Sequence, residues 1–169
     1  LEFRRVLFRS LIGNDGDNRI EGGRGEDTCT GRDGADLFVL QAIRGSHDWL
    51  TDFNPGEDQL VLKGKGLERL FSDGSLREGV LGTVLLWEAD QAEGTITLRY
   101  DRDGLAGPRP ATTLAVLQNL PAHYRAVQNT ASYGNFFNFF LCGVRIQTGL
   151  AGANVTTPWI YSDAPRCKR

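Results

Sequence analysis

The chain has no methionine, two histidines and three cysteines among 169 residues. Cys29, Cys142 and Cys167 are irregularly spaced, which gives neither a disulfide framework nor a zinc-ligand pattern. His47 and His123 come with no H-E-x-x-H helix and no G-x-S-x-G elbow, so no catalytic constellation is present and no enzyme activity is expected of this stretch. No apolar run approaches the ~20 residues of a membrane-spanning helix, so no stable membrane span is expected. A net charge of −2 lacks the basic excess of a nucleic-acid binder. With 40% hydrophobic and 24% charged residues, wholesale disorder is excluded, and the length suits one domain or one and a small second.

What the chain has in quantity is glycine, 21 residues. Written in nines, residues 13–39 read GNDGDNRIE, GGRGEDTCT, GRDGADLFV. Position one is Gly13, Gly22, Gly31; position four is Gly16, Gly25, Gly34; position six is Asn18, Asp27, Asp36. Position eight is Ile20, Cys29, Phe38, with Leu11 one period earlier. A flexible Gly/Asp linker has no such registered apolar position. An anion-binding glycine loop needs a G-x-x-x-x-G-K-[ST] or G-x-G-x-x-G context, and an EF-hand needs D-x-D-x-D-G with a glutamate at position twelve; neither is found.

The pattern resembles the repeats-in-toxin (RTX) family, whose calcium-binding nonapeptide is G-G-x-G-x-D-x-U-x. Residues 22–30 match it throughout except for the small Cys29; Asn14 and Arg32 replace the second glycine, and Asn18 replaces the first aspartate. The chemistry suits the residue types. Ca²⁺ takes six to eight oxygen ligands at about 2.3–2.6 Å, and a short loop supplies that many only by turning its carbonyls inward. Glycine permits the backbone conformations this needs. Six residues then turn and three extend, with one apolar side chain inward. The resemblance implies an all-β protein: a parallel β-roll (a calcium-binding β-solenoid) followed by a short-stranded β-region.

In the family each ion lies between turns two repeats apart on one side of the roll. Carried over, Asn18 and Asp36 face one ion with carbonyls of Gly13, Gly16, Gly31 and Gly34. Asp27 lies on the other side, and Gly22, Gly23, Gly25 and Asp33 complete the metal-binding set. The segment WLTDFNPGEDQLVL (49–62), with Asp48 before it, resembles the D-x-I-x-D-F-x-P-G-x-D-x-I-x-L stretch that closes the roll. Its Asn54-Pro55-Gly56 is a strong turn signal. By resemblance, Asp48 or Asp52 completes a site next to Asp27 or Asp36, while Asp58 is either a closing residue or a solvated turn carboxylate.

Charge supports this division. Residues 11–60 hold 11 acids against 4 basic residues, whereas residues 61–122 hold 8 against 7. An excess of that size repels itself unless cations neutralise it. The strand-like runs LGTVLLW, GTITLRYDRDG and TTLAVLQNL in residues 81–120 resemble the terminal β-region of type I secreted proteins, which carries an uncleaved export signal. Asp101-Arg102-Asp103-Gly104 reads as a hairpin turn in preference to a calcium loop. Asp36→Ala is therefore expected to weaken calcium binding more than Asp103→Ala; equal losses by calorimetry would displace the site.

Four segments are expected. Residues 1–10 (LEFRRVLFRS) resemble a translated sequencing adapter, and without them the net charge moves from −2 to −4. Residues 11–62 are the roll with its closing segment, and residues 63–122 the β-region with export-signal character. Residues 123–169 differ in kind: one acid against five basic residues, and eight of the 16 aromatics, including Phe136-Phe137-Asn138-Phe139-Phe140. They are either a frame error or a divergent C-terminus packing on the roll. The whole reads as a fragment of a longer protein.

The expected function is a calcium-binding module that folds outside the cell and supports export of a larger secreted protein by the type I secretion machinery. The alternatives are a targeting module of a secreted metalloprotease or lipase, or an adhesion or surface-layer module. Three repeats with an open N-terminal edge predict marginal folding, or edge-to-edge association of two copies. A compact, stable monomer sedimenting in calcium would count against that.

Overall fold

The structure, a computed structural model, describes residues 8–120 except 55, 65, 73, 74, 78, 81, 82 and 91, together with the strand Arg145–Thr148. Among these residues it is built of strands, with one 3₁₀ turn at Glu68–Leu70 and no α-helix. The first six strands are β1 (Ser10–Ile12), β2 (Arg19–Ile20), β3 (Glu26–Thr30), β4 (Leu37–Gln41), β5 (His47–Leu50) and β6 (Gln59–Lys63). The odd strands pair in parallel in one ladder and the even strands in another. A chain that turns for six residues and extends for three reverses every repeat, so alternate repeats share a ladder.

The eighth positions stack as that coil requires. Leu11 lies opposite Cys29 and Cys29 opposite Leu50 in the first ladder; Ile20 lies opposite Phe38 and Phe38 opposite Leu60 in the second. Ile20, Cys29, Phe38, Leu50 and Leu60 are buried in one core, with Leu11 packed against it. Phe38 meets Phe53 edge-on at 5.9 Å between ring centroids, a favoured aromatic geometry. Cys29 behaves as a small core residue. Burial first, then the charges of Asp48 and Asp27, push its thiol up to about 12, which leaves it unreactive.

Beyond the coil, β7 (Phe71–Ser72) and β8 (Ser75–Leu76) form a short antiparallel pair. Then β9 (Leu85–Asp90), β10 (Thr95–Tyr100) and β11 (Thr112–Leu117) form an antiparallel set. β9 starts later than the run at residue 81 suggests, because the amides of Thr83, Val84 and Leu85 all turn back onto the Val80 carbonyl. β11 then docks in parallel beside β5, with Ala115 opposite Asp48 and Leu117 opposite Leu50. The parallel arrangement expected of the repeats thus holds for β1–β6, while the first sheet as a whole, β1-β3-β5-β11-β10-β9, is mixed. β12 (Arg145–Thr148) extends the second ladder in parallel beside β6. The remaining residues of the aromatic tail, and residues 1–7 of the adapter-like segment, lie outside the described residues.

Candidate metal centre

Asp27 and Asp48 occupy the second positions of β3 and β5 and are direct register partners. Both are buried. Asp27 Oδ1 accepts the Arg9 backbone N–H at 3.0 Å, while its buried Oδ2 has no hydrogen-bond partner. Gly22 closes the site: a Cβ there would stand 2.7 Å from Asp27 Oδ2 and 2.8 Å from Asp48 Oδ1. Only glycine lets the backbone approach both carboxylates. Burial, and then the Asp27 charge, push the Asp48 carboxyl up to about 7 against the opposing hydrogen bond from the Asp27 backbone.

A second pair stands on the other side of the coil. Asp36 Oδ1 accepts the Asn18 backbone N–H at 2.9 Å, and its buried Oδ2 again has no partner. A Cβ on Gly31 would overlap the Asp36 carboxylate outright. The Asp36 N–H donates to Asp58 Oδ1 at 3.0 Å, and Asp58 Oδ2 accepts the Asn54 N–H at 2.7 Å. Burial raises Asp58 to about 6, opposed by those two backbone donors and aided by the Asp36 and Asp52 charges. Asp36 is raised too, by burial first, with the Asn18 hydrogen bond opposing and the Asp52 and Asp17 charges adding.

Other residues singled out by sequence fall elsewhere. Asp52 caps a turn, its two oxygens accepting the N–H groups of Gly31 (2.9 Å) and Arg32 (2.8 Å). That grip holds Arg32 at φ +76°, near the +87° of Gly23 at the same repeat position. Asn18 turns its side chain onto its own loop, the amide donating to the carbonyls of Asn14 and Gly16. A neutral amide thus engages carbonyls that an aspartate would leave to a cation. Gly13 lies directly against the Gly31 carbonyl, and Gly34 against that of Gly16, so these turns stack two repeats apart. Asp33 is exposed on its turn.

Sequence reasoning missed two contributors, Asp17 and Ser46, and left a third, Asp58, open. Asp17 accepts the Ala35 N–H at 2.9 Å and ties two turns together. Asp58 is buried beside Asp36 rather than solvated. Ser46 Oγ both accepts the Gly25 N–H and donates to the Gly25 carbonyl, pinning the loop before β5 to the repeat. For Asp58 the usable signal was its place in the closing motif; for Ser46 there was none.

Among the described residues no three carboxylate, imidazole or thiol groups converge on one point. Each carboxylate pair would therefore take its remaining donors from backbone carbonyls. Two buried carboxylate oxygens without partners, each facing a glycine that a side chain would overfill, fit a hard oxygen-seeking cation. A buried carboxylate left unmatched is otherwise costly.

The raised carboxyls fix the sign of the pH response. Their protonated forms are favoured by the metal-free fold, so stability is fully present below about pH 4, the unfolded value. It is lost as pH rises through about 6 for Asp58 and about 7 for Asp48. Thermal melts in chelator should show a falling midpoint from pH 4.5 to 8, and calcium affinity by calorimetry should rise over pH 6–8. A metal-free midpoint that climbs with pH would contradict this burial of charge.

Carboxylates walled by glycine on a nine-residue coil are the architecture of a calcium-binding repeat. Residues 10–38 match the family model of the RTX calcium-binding nonapeptide repeat, which spans four copies. The chain carries RTX repeats, and the family of that repeat binds Ca²⁺. No curated protein matches the chain.

Proposed function

We propose that residues 10–63 are a calcium-binding β-roll that folds on taking up Ca²⁺, and that the module serves export of a larger extracellular protein by type I secretion. The observation that carries this reading is the pair of partnerless, buried oxygens of Asp27 and Asp36 against Gly22 and Gly31. Asp27 and Asp48 would hold one ion; Asp36 and Asp58 would hold another. Bound Ca²⁺ supplies the positive charge that offsets each buried pair. Without it the carboxylates repel one another across the ladder, and the coil loses stability near neutral pH.

Coupling to folding gives the module its use. Where a site does not pre-exist in the unfolded chain, binding free energy becomes folding free energy. Extracellular calcium modules bind at about 10⁻⁴–10⁻³ M, so such a chain stays loose and exportable in the cytosol and folds firmly outside. The module performs no chemistry of its own in this reading.

The test is a calcium titration of the full chain followed by far-UV circular dichroism. A cooperative gain of β signal near millimolar calcium is expected, with no gain in magnesium, which demands tight octahedral geometry and dehydrates reluctantly. A β signal already complete in chelator at pH 7.5, and unmoved by calcium, would overturn the folding switch.

A further inference from the structure

A cleft of about 540 Å³ opens between the loop preceding β5 and the long connection from β10 to β11. Three guanidinium side chains line it, Arg44, Arg102 and Arg109, together with His47, Thr112 and Thr113. All three arginines are exposed. Among the described residues none of the three has a carboxylate within ion-pair distance, so no acid neutralises them at the cleft. The nearby acids are engaged locally: Asp103 accepts the Arg109 backbone N–H, Asp101 the Asp103 N–H, and Glu26 stands 3.8 Å from His47. In a chain of net charge −2, three cations without an acidic partner line this one cleft.

We propose that this cleft is a binding site for a small phosphate-bearing organic anion. Guanidinium forks match phosphate oxygens two at a time, and three of them call for a ligand carrying at least two negative charges. The volume lies within the range of small-molecule sites and exceeds what bare phosphate fills. Ala42 and Pro110 offer an apolar wall for the uncharged body, and the threonines offer hydroxyls for its polar edges. Part of the lining is fixed in advance, because Tyr100 OH is held between the Gly66 carbonyl (3.2 Å) and Arg69 (3.1 Å). Ser46, also in the lining, is fixed by its clamp on Gly25. A preorganised wall lowers the ordering cost of binding.

The experiment is calorimetry on the full chain in millimolar calcium and low salt, with glucose 6-phosphate as probe and glucose as control. Phosphatidylcholine vesicles with and without phosphatidylinositol 4-phosphate form a second arm, separating a soluble ester from a lipid headgroup. Saturable binding is expected in at least one arm, with none to glucose or to plain vesicles. The triple change R44Q/R102Q/R109Q should weaken it at least tenfold and Arg109→Gln alone about threefold, while Arg19→Gln, on the far ladder, leaves it unchanged. Circular dichroism of each variant shows whether the fold is kept, and Arg109→Gln alters only an exposed side chain. No binding in either arm, or losses equal to that of Arg19→Gln, would overturn the site.

Discussion

Asp48→Asn is expected to raise the melting point of the calcium-free protein at pH 8 and, in the same variant, to weaken the calcium response of the Asp27 pair. The two effects share one cause. Asp48 is buried beside Asp27, and its carboxyl is pushed from 3.8 up to about 7. Keeping it ionised at pH 8 costs the metal-free fold roughly 3–5 kcal/mol. Asparagine removes that charge, keeps an oxygen for the Asp27 backbone donor, and brings an N–H₂ that can serve the unpartnered Asp27 Oδ2. The melting point in chelator should rise by roughly 6–20 °C for a chain of this size. Calcium affinity should fall, because one of two charged ligands is gone. Differential scanning calorimetry with and without calcium reads both effects. A variant less stable than the parent in chelator would show that Asp48 is a structural acid and not a metal ligand.

Gly31→Ala should have the opposite profile, with loss of the folded coil whether calcium is present or not. A methyl group at that position has no room, since it would overlap the Asp36 carboxylate and lie 3.1 Å from the Phe38 ring. Phe38 is fully buried at the centre of the even ladder and supports Phe53. Relief would move either the candidate ligand or the core, at a cost of about 3 kcal/mol or more. In a chain of three repeats that is comparable with the whole stability. Gly56→Ala is the control, because a Cβ there meets only Asn54 Oδ1, at 3.4 Å. Urea unfolding in calcium should show Gly31→Ala without a cooperative transition and Gly56→Ala near the parent. A Gly31→Ala protein that melts like the parent would mean the two turns are not packed as described.

Much of the coil was legible because its rules are local. Nine-residue spacing of glycine sets where the backbone turns, and an apolar eighth position sets which side chain faces in. Leu11, Ile20, Cys29 and Phe38 lie inward as the spacing requires. The stacking of turns two repeats apart, which the family resemblance implied, appears in the Gly13–Gly31 and Gly16–Gly34 contacts. The 18-residue offset from Leu11 to Cys29 needs no knowledge of any distant segment.

Which acids meet was a tertiary decision. The regular offset ends at β5, where partners are Asp27 and Asp48, because the Ile43–Ser46 turn lengthens that coil. Sequence left Asp48 and Asp52 interchangeable; the ladder register puts Asp48 against Asp27 and leaves Asp52 to cap the amides of Gly31 and Arg32. The folding of Asn18 onto its own turn depends on a choice between two carbonyl partners and a neighbouring coil, which spacing does not encode. The docking of β11 beside β5 joins residues far apart in the chain, and with it the loops carrying Arg44, Arg102 and Arg109 come to one cleft. The sequence by itself therefore determined the coil, its inward face and where acid is concentrated, since these repeat within nine residues. Only the tertiary structure decided the carboxylate pairs and the arginine cleft, since both depend on register between segments that no local pattern links.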